Sequence, residues 1–144
     1  MNSILPINTN PTETEPSETG QRTIFLIEDE VPILDLSTVM LMRAGFRVLK
    51  AANATEAALV WQKEGTSVDL LISDISIPGR SGPEMAREFR TSRPGLKIIF
   101  ASGNTRDSVS DSAQFFKGAK FLLKPFSMKS LLDLARAELG INSS

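Results

Sequence analysis

The 144-residue sequence contains no cysteine and no histidine, and no apolar run approaches the roughly 18 residues that a membrane-spanning helix needs. Without cysteine, disulfide frameworks and thiolate metal sites are excluded, and without histidine any imidazole must come from another molecule. A hydrophobic content of 41% with 23% charged residues is typical of a soluble globular protein. We therefore expect a cytoplasmic protein with one core, no membrane partner, and chemistry based on oxygen and amine groups.

The first 21 residues differ in composition from the rest of the chain. They contain no lysine or arginine, and proline recurs among Thr, Ser, Asn and Glu. This composition is typical of a disordered tail and lacks the pattern of a secretory signal peptide. From Arg22 onward, 14 acidic residues face 16 basic residues, a net charge of +2, which is far below the excess that nucleic-acid-binding surfaces carry. We expect a tail over 1–21, one domain over 22–140, a short tail over 141–144, and no nucleic-acid partner.

From Thr23 onward, short aliphatic runs alternate with longer segments of helical period. This alternation predicts βα units around a parallel sheet, and most of the strands are too apolar to leave one face in water. The predicted strands are Thr23 to Ile27, Arg47 to Ala51, Leu70 to Ser73, Lys97 to Ala101 and Ala119 to Leu123. The predicted helices are Pro32 to Ala44, Thr55 to Glu64, Pro83 to Ser92, Arg106 to Phe115 and Met128 to Leu139.

Local signals mark several helix ends. Gly45 suits a left-handed residue after the first helix, Pro83 suits a first helical turn, and Ser127 can cap the last helix. The fourth predicted helix, 106–115, is rich in Ser and Asp, which are poor helix formers. We expect this helix to be the most mobile, and we expect Trp61 on the second helix to pack.

Polar residues follow four of the predicted strands, at the edge where open parallel sheets bind their ligands. They are Glu28, Asp29 and Glu30 after the first strand, Asp74 after the third, Ser102 and Gly103 after the fourth, and Lys124 and Pro125 after the fifth. Taken alone, each has a structural interpretation: a helix-start charge cluster, a turn aspartate, a loop hydroxyl and a surface lysine. Their combination at one rim favours a site.

Carboxylates at one rim repel one another unless a cation joins them. Mg2+ prefers oxygen ligands and is typically held by one or two carboxylates together with phosphate oxygens, which Glu28, Asp29 and Asp74 fit. With the metal present, Asp74 can act as a nucleophile toward a phosphoryl group. Lys124 and Ser102 can each pair with a phosphate oxygen.

These residues resemble those of the receiver domain of two-component response regulators. The resemblance covers about Thr23 to Leu139, nearly the whole chain that is predicted to be ordered. The matching stretches are Ile24-Phe-Leu-Ile-Glu28-Asp29-Glu30, Asp74-Ile-Ser-Ile-Pro78-Gly-Arg-Ser-Gly82, Ile99-Phe-Ala-Ser102-Gly103 and Gly118-Ala-Lys-Phe121-Leu-Leu-Lys124-Pro125-Phe126. The resemblance implies a doubly wound, flavodoxin-like (βα)5 fold with strand order 2-1-3-4-5 and helices on both faces of the sheet.

The resemblance also implies a function. Asp74 would accept a phosphoryl group from a partner histidine kinase or phosphotransfer protein. Mg2+ would be held by Glu28 or Asp29, by Asp74 and by the backbone carbonyl of Ser76. Such a single-domain regulator would not be an enzyme beyond its own phosphorylation and dephosphorylation.

The same resemblance assigns a switch and a tuning position. Ser102 and Phe121 would be the switch residues, and they would alter the face formed by the fourth helix, the fifth strand and the fifth helix, where an output protein docks. Ser76 and Asn104 occupy positions that tune phosphoryl lifetime, and Ser81 is interpreted as a variation at a helix start. The Lys124–Pro125 peptide bond would be cis.

Three alternatives remain at this point. The same fold could be a constitutive interaction module that works without phosphorylation. A phosphatase of the haloacid dehalogenase kind also uses an aspartate nucleophile, Mg2+ and lysine, but Ser76 stands where its second aspartate is needed. A flavodoxin-like electron carrier would have its flavin phosphate repelled by Glu28, Asp29 and Glu30.

Overall fold

The computed structural model describes residues 21–103 and 117–141. Its main sheet has five parallel strands in the order β2-β1-β3-β4-β5, which confirms the predicted fold class and strand order. The strands are β1 (Thr23–Ile27), β2 (Arg47–Ala51), β3 (Leu70–Asp74), β4 (Lys97–Ser102) and β5 (Lys120–Leu123). β3 and β4 each run one residue further than predicted because pairing continues from Asp74 to Ala101 and from Ser102 to Leu123.

Four α-helices flank the sheet within the described residues. They are α1 (Val31–Arg43), α2 (Ala54–Glu64), α3 (Gly82–Ser92) and α4 (Met128–Leu139), and a short 3-10 turn (Gly65–Ser67) follows α2. A small antiparallel hairpin, which the sequence did not predict, pairs Ser76–Ile77 with Arg80–Ser81 just before α3. Three predicted segments lie wholly or mostly outside the described residues: the helix over 106–115, residues 1–20 of the tail predicted over 1–21, and residues 142–144 of the tail predicted over 141–144.

Three residues predicted to mark helix ends, Gly45, Pro83 and Ser127, lie at helix ends in the structure. Gly45 follows α1 with φ of 104°, and the next amide, that of Phe46, donates to the carbonyl of Leu41, as in a Schellman motif. Pro83 lies in the first turn of α3, and the Ser127 hydroxyl accepts a hydrogen bond from the Ser130 amide at 3.0 Å. These local signals position the ends of the helices relative to the sheet.

The two faces of the sheet carry separate cores. On one face, Phe25 and Leu71 are buried in a cluster with Phe89 of α3. On the other, Ile72 is buried in a cluster with Leu131 of α4. Because β1, β3 and β4 are covered on both sides, they form a rigid platform whose carboxyl ends hold the polar residues.

Trp61 packs against α3, as expected. Its ring lies 4.2 Å from that of Phe89, centroid to centroid, and its indole N–H donates to the Ser92 hydroxyl at 3.2 Å. Among the described helices, none is long and apolar enough to cross a membrane.

Candidate functional site

Three strand ends bring the charged side chains together. Glu28 follows β1, Asp74 ends β3 and Lys124 follows β5, so parallel pairing places them at one edge of the sheet. The Lys124 ammonium lies 2.7 Å from Glu28 Oε1 and 3.0 Å from Asp74 Oδ1. Glu28 and Asp74 are 3% and 7% exposed, so two buried carboxylates share one cation.

Backbone hydrogen bonds hold the two ends of this arrangement. The Glu28 amide donates to the carbonyl of Ala51 at 3.1 Å, and Glu28 Oε2 accepts from the Glu30 amide at 3.0 Å. The Lys124 amide donates to the carbonyl of Ser102 at 2.7 Å. Because these contacts fix the main chain next to each charge, little reorganisation is needed to keep the ammonium between the carboxylates.

The backbone of Asp74 depends on a glycine that sequence reasoning noted only as part of a longer motif. A Cβ atom at Gly82 would lie 2.2 Å from the carbonyl oxygen of Asp74, far inside van der Waals contact. The Gly82 amide donates to the carbonyl of Ile75 at 2.6 Å, and the Ser73 hydroxyl donates to the Asp74 carbonyl at 2.8 Å. The signal in the sequence is a glycine directly before the helix-starting Pro83.

The donor set of the rim fits a hard divalent cation. Carboxylate oxygens of Glu28, Asp29 and Asp74 lie within 4.8 Å of one another. Glu28 and Asp74 are buried, whereas Asp29 is exposed, so the cluster combines fixed ligands with access to water. Mg2+ prefers this combination, since it usually keeps several water ligands.

The surroundings of Asp74 disfavour its ionised form. Burial raises the pKa of Asp74 to about 8, and the neighbouring Glu28 carboxyl adds to the rise, while Lys124 opposes it. Burial lowers the pKa of Lys124, but its contacts with Glu28 and Asp74 outweigh burial and raise that pKa overall. A second cation at the rim would therefore favour the ionised form of Asp74.

An open cavity of about 250 Å³ gives access to Asp74. Its walls come from the ends of four strands, β1, β3, β4 and β5, and from the start of the hairpin. They comprise Asp29, Glu30, Asp74, Ile75, Ser76, Ala101, Ser102, Gly103 and Lys124. Ser76 and Ser102 therefore line the same cavity as Asp29 and Asp74, and Ser102 is only 3% exposed. A small tetrahedral anion would meet both a hydroxyl and an ammonium here.

Phe121 lies away from this cavity on the edge strand β5. Its ring is 38% exposed and lies 5.9 Å from that of Phe100, centroid to centroid. Asn104 lies outside the described residues. The Lys124–Pro125 peptide bond is cis, as the resemblance implied.

Comparison with known proteins gives a family for these residues. The family model described as "Response regulator receiver domain" matches residues 24–136. The sensor kinase CckA of Brucella abortus is 34% identical over 120 residues, which cover 83% of this chain and 13% of that protein. The chain spans about half the length of the other curated relatives reported in the comparison, so it is similar to one region of larger proteins.

Solved structures that resemble this chain include response regulator proteins. A response regulator receiver domain protein of Clostridium thermocellum has a TM-score of 0.74 at 27% identity, covering 83% of this chain and 94% of that one. The response regulator TrrA of Thermotoga maritima, solved with Mg2+ and beryllium fluoride, has a TM-score of 0.70 at 27% identity, covering 81% and 98% of the two chains.

Proposed function

The chain belongs to the response regulator receiver family of two-component signalling, and from that premise we propose that Asp74 accepts a phosphoryl group from a histidine kinase or a phosphotransfer protein. The observation that carries the proposal is the position of Lys124, held between the buried Glu28 and Asp74 carboxylates at an open cavity. The same family membership argues against the phosphatase and electron-carrier alternatives.

The proposed step is a phosphoryl transfer between two side chains. An Asp74 carboxylate oxygen forms a bond to phosphorus while the bond from phosphorus to the donor imidazole nitrogen breaks, and that nitrogen keeps the electron pair. Lys124 turns from the Asp74 carboxylate to an oxygen of the new acyl phosphate. Ser102, which lines the same cavity, donates its hydroxyl to another oxygen.

Mg2+ is part of the proposal because the rim fits it. Glu28 or Asp29, Asp74 and the backbone carbonyl of Ser76 would hold the ion. When bound, it offsets the charge of the nucleophile and of the transferring oxygens. Without the metal, burial raises the pKa of Asp74 to about 8, which disfavours the ionised form that acts as the nucleophile.

The output that we propose is a change in protein contacts by a single-domain regulator. Ser102 and Phe121 act as the switch, and the face that responds contains the predicted fourth helix, β5 and α4. Phe121 and Leu123 of β5 are 38% and 51% exposed, so this edge already offers apolar surface to a partner protein. In this proposal the protein is cytoplasmic, binds no nucleic acid itself, and has no enzymatic turnover beyond its own phosphorylation and dephosphorylation.

The test is phosphorylation by a small donor. The full chain is incubated with acetyl phosphate, with and without Mg2+, and its intact mass is measured. We expect a Mg2+-dependent gain of one phosphoryl group in the wild type and none in Asp74→Asn. The control is Asp133→Asn, because Asp133 is an exposed aspartate of α4 that pairs with Lys129 at 2.7 Å, and it should label like the wild type.

An acyl phosphate that hydrolyses quickly would escape detection by intact mass, so a second measurement is needed. Beryllium fluoride with Mg2+ should bind the wild type and Asp133→Asn, and it should not bind Asp74→Asn. If neither phosphorylation nor beryllium fluoride binding occurs in the wild type, the acceptor role is wrong and the constitutive interaction module remains.

A further inference from the structure

Helix α1 exposes an apolar face. Only Asp35 and Arg43 are charged among its 13 residues. Leu36, Val39 and Met42 are 53%, 45% and 58% exposed, although a surface helix normally presents polar residues to water. An apolar face of this kind is typical of a surface that another segment or molecule covers.

A groove of about 540 Å³ continues this face toward the rim of the sheet. One wall comes from Pro32, Ile33 and Leu36 of α1, and the other comes from the segment after β5, with Pro125, Phe126 and Met128. The groove also touches Glu30, Gly103 and Lys124, which line the cavity above Asp74. Whatever occupies the groove therefore lies beside the approach to Asp74.

The chain enters the sheet at the far end of the same helix. The Gln21 side-chain amide donates to the carbonyl of Gly45 at 3.4 Å, and the Arg22 carbonyl accepts from the Arg47 amide at 2.9 Å. Gly45 directly follows the cap of α1. The N-terminal segment, residues 1–20, is thus attached at the C-terminal end of the apolar face.

The N-terminal segment contains one apolar run, Ile4-Leu5-Pro6-Ile7. The 14 residues from Ile7 to Gln21 can span up to about 46 Å when extended, whereas the 13 residues of α1 extend about 20 Å. The run can therefore reach the groove at the other end of the helix. Leucine and isoleucine side chains next to a proline suit a groove lined by Pro125, Phe126 and Met128.

Charge supports the same path. Glu13, Glu15 and Glu18 lie between the apolar run and Gln21, so they would pass the C-terminal end of α1. Arg43 is exposed there, and no ion pair with another described residue is found for it. Acidic residues that pass this end of α1 would thus lie near the Arg43 guanidinium, an attraction between exposed charges that contributes at most about 1 kcal/mol.

We propose that Ile4-Leu5-Pro6-Ile7 docks within its own chain into the groove between α1 and the segment 125–128. Because a short tether gives an effective concentration in the millimolar range, even a weak contact is populated. The docked run covers one side of the approach to Asp74 and competes with macromolecular partners for the apolar face. This inference rests on the groove and the path of the chain, and it holds whether or not Asp74 is phosphorylated.

The absence of cysteine permits a direct test in the full chain. Leu5→Cys is combined with Leu36→Cys in the groove, and the control combines Leu5→Cys with Leu59→Cys, an exposed position of α2 on the opposite face of the sheet. Under mild oxidation we expect the groove pair to form an intramolecular disulfide at least about tenfold faster than the control pair. Intact mass and non-reducing electrophoresis distinguish that product from a covalent dimer.

Two outcomes of the oxidation would overturn the inference. Equal rates for the two pairs would mean that the run visits the groove only by random collision. A covalent dimer as the main product of the groove pair would mean that a second copy of the chain occupies it.

A second measurement needs no disulfide. Nuclear magnetic resonance spectra of the full chain are compared with those of Leu5→Ser combined with Ile7→Ser, which changes no described residue. We expect the amide chemical shifts along α1 and at 125–128 to change in this variant. The matched control, Asn8→Ser combined with Asn10→Ser, should leave those chemical shifts unchanged. Unchanged shifts in the apolar-run variant would contradict docking.

Discussion

The two edges of the central sheet both carry charged clusters, but only one of them balances its charges. At the amino edge, Arg47 donates to Glu64 and Ser67, and the Asp69 carboxylate accepts from the Thr23 amide at 2.8 Å. Each carboxylate there has its own donor, and the Arg47 and Glu64 side chains are about one third exposed. Such pairs contribute modestly to stability and need no further ligand.

At the carboxyl edge, two buried carboxylates share one ammonium while a third carboxylate lies nearby. Burial, together with the neighbouring Glu28 carboxyl, raises the pKa of Asp74, and the single ammonium of Lys124 does not offset that rise. Buried charge that the neighbouring donors do not compensate therefore distinguishes a candidate functional cluster from a structural ion pair. Three variants test this difference between the two edges.

The largest effect should come from removing the shared cation. Lys124→Met leaves the buried Glu28 and Asp74 carboxyls without the cation that they share, and we expect a loss of about 3 kcal/mol in the free energy of unfolding at pH 8. Arg47→Met at the amino edge should cost about 1 kcal/mol or less, because its pair is partly exposed. Urea unfolding in EDTA measures both, and equal losses would mean that the two edges do not differ.

A smaller effect should come from the glycine behind Asp74. Gly82→Ala places a Cβ atom against the Asp74 carbonyl oxygen, and we expect a loss of about 2 kcal/mol in the free energy of unfolding. The matched control is Gly95→Ala before β4, where an added Cβ meets nothing within 4 Å. Unfolding curves that shift equally for the two variants would refute the close approach at Gly82.

The smallest effect is a pH dependence. Between the ordinary pKa of 3.8 and about 8, folded Asp74 keeps a proton that the unfolded chain has released, so stability falls as pH rises through this window. In metal-free buffer, Asp74→Asn should gain stability relative to the wild type as pH rises from 4 to 8, and at pH 8 the variant should be the more stable of the two by about 1 kcal/mol. Added Mg2+ should reduce the stability difference between the two proteins at pH 8, because the ion binds the folded wild type.

The amino edge again supplies the control for pH. Asp69→Asn removes the acceptor of the Thr23 amide, so it should lower stability and should not reproduce the gain at pH 8. If Asp69→Asn and Asp74→Asn changed stability in the same direction at pH 8, the contrast between the two edges would fail.

Much of the sheet and of the candidate site was predictable from the sequence, because parallel strands pair in a regular geometry. Buried runs such as Leu70 to Ser73 predicted strands, and strand ends that meet at one edge brought Glu28, Asp74 and Lys124 together. The roles assigned to Ser102, Phe121 and Ser76 stay predictions, since placement alone does not test a role. The helix near 106–115 lies outside the described residues, so its predicted mobility also stays a prediction.

Other features could not be read from the sequence because they depend on contacts between distant segments. The hairpin of Ser76–Ile77 with Arg80–Ser81 has strands of two residues, too short for any periodic pattern. The approach of Gly82 to Asp74 follows from that hairpin, and the groove requires α1 to meet the segment 125–128. Composition suggested a tail, but only the contact of Gln21 with Gly45 showed where the tail is attached.

The position of Lys124 in the chain has a consequence for biosynthesis. It lies 50 residues after Asp74, and it reaches the carboxylates only when β5 has joined the edge of the sheet beside β4. Contacts of such sequence separation form late, since loop closure precedes them. A nascent chain that stops short of β5 therefore carries the two buried carboxylates without the ammonium that they share.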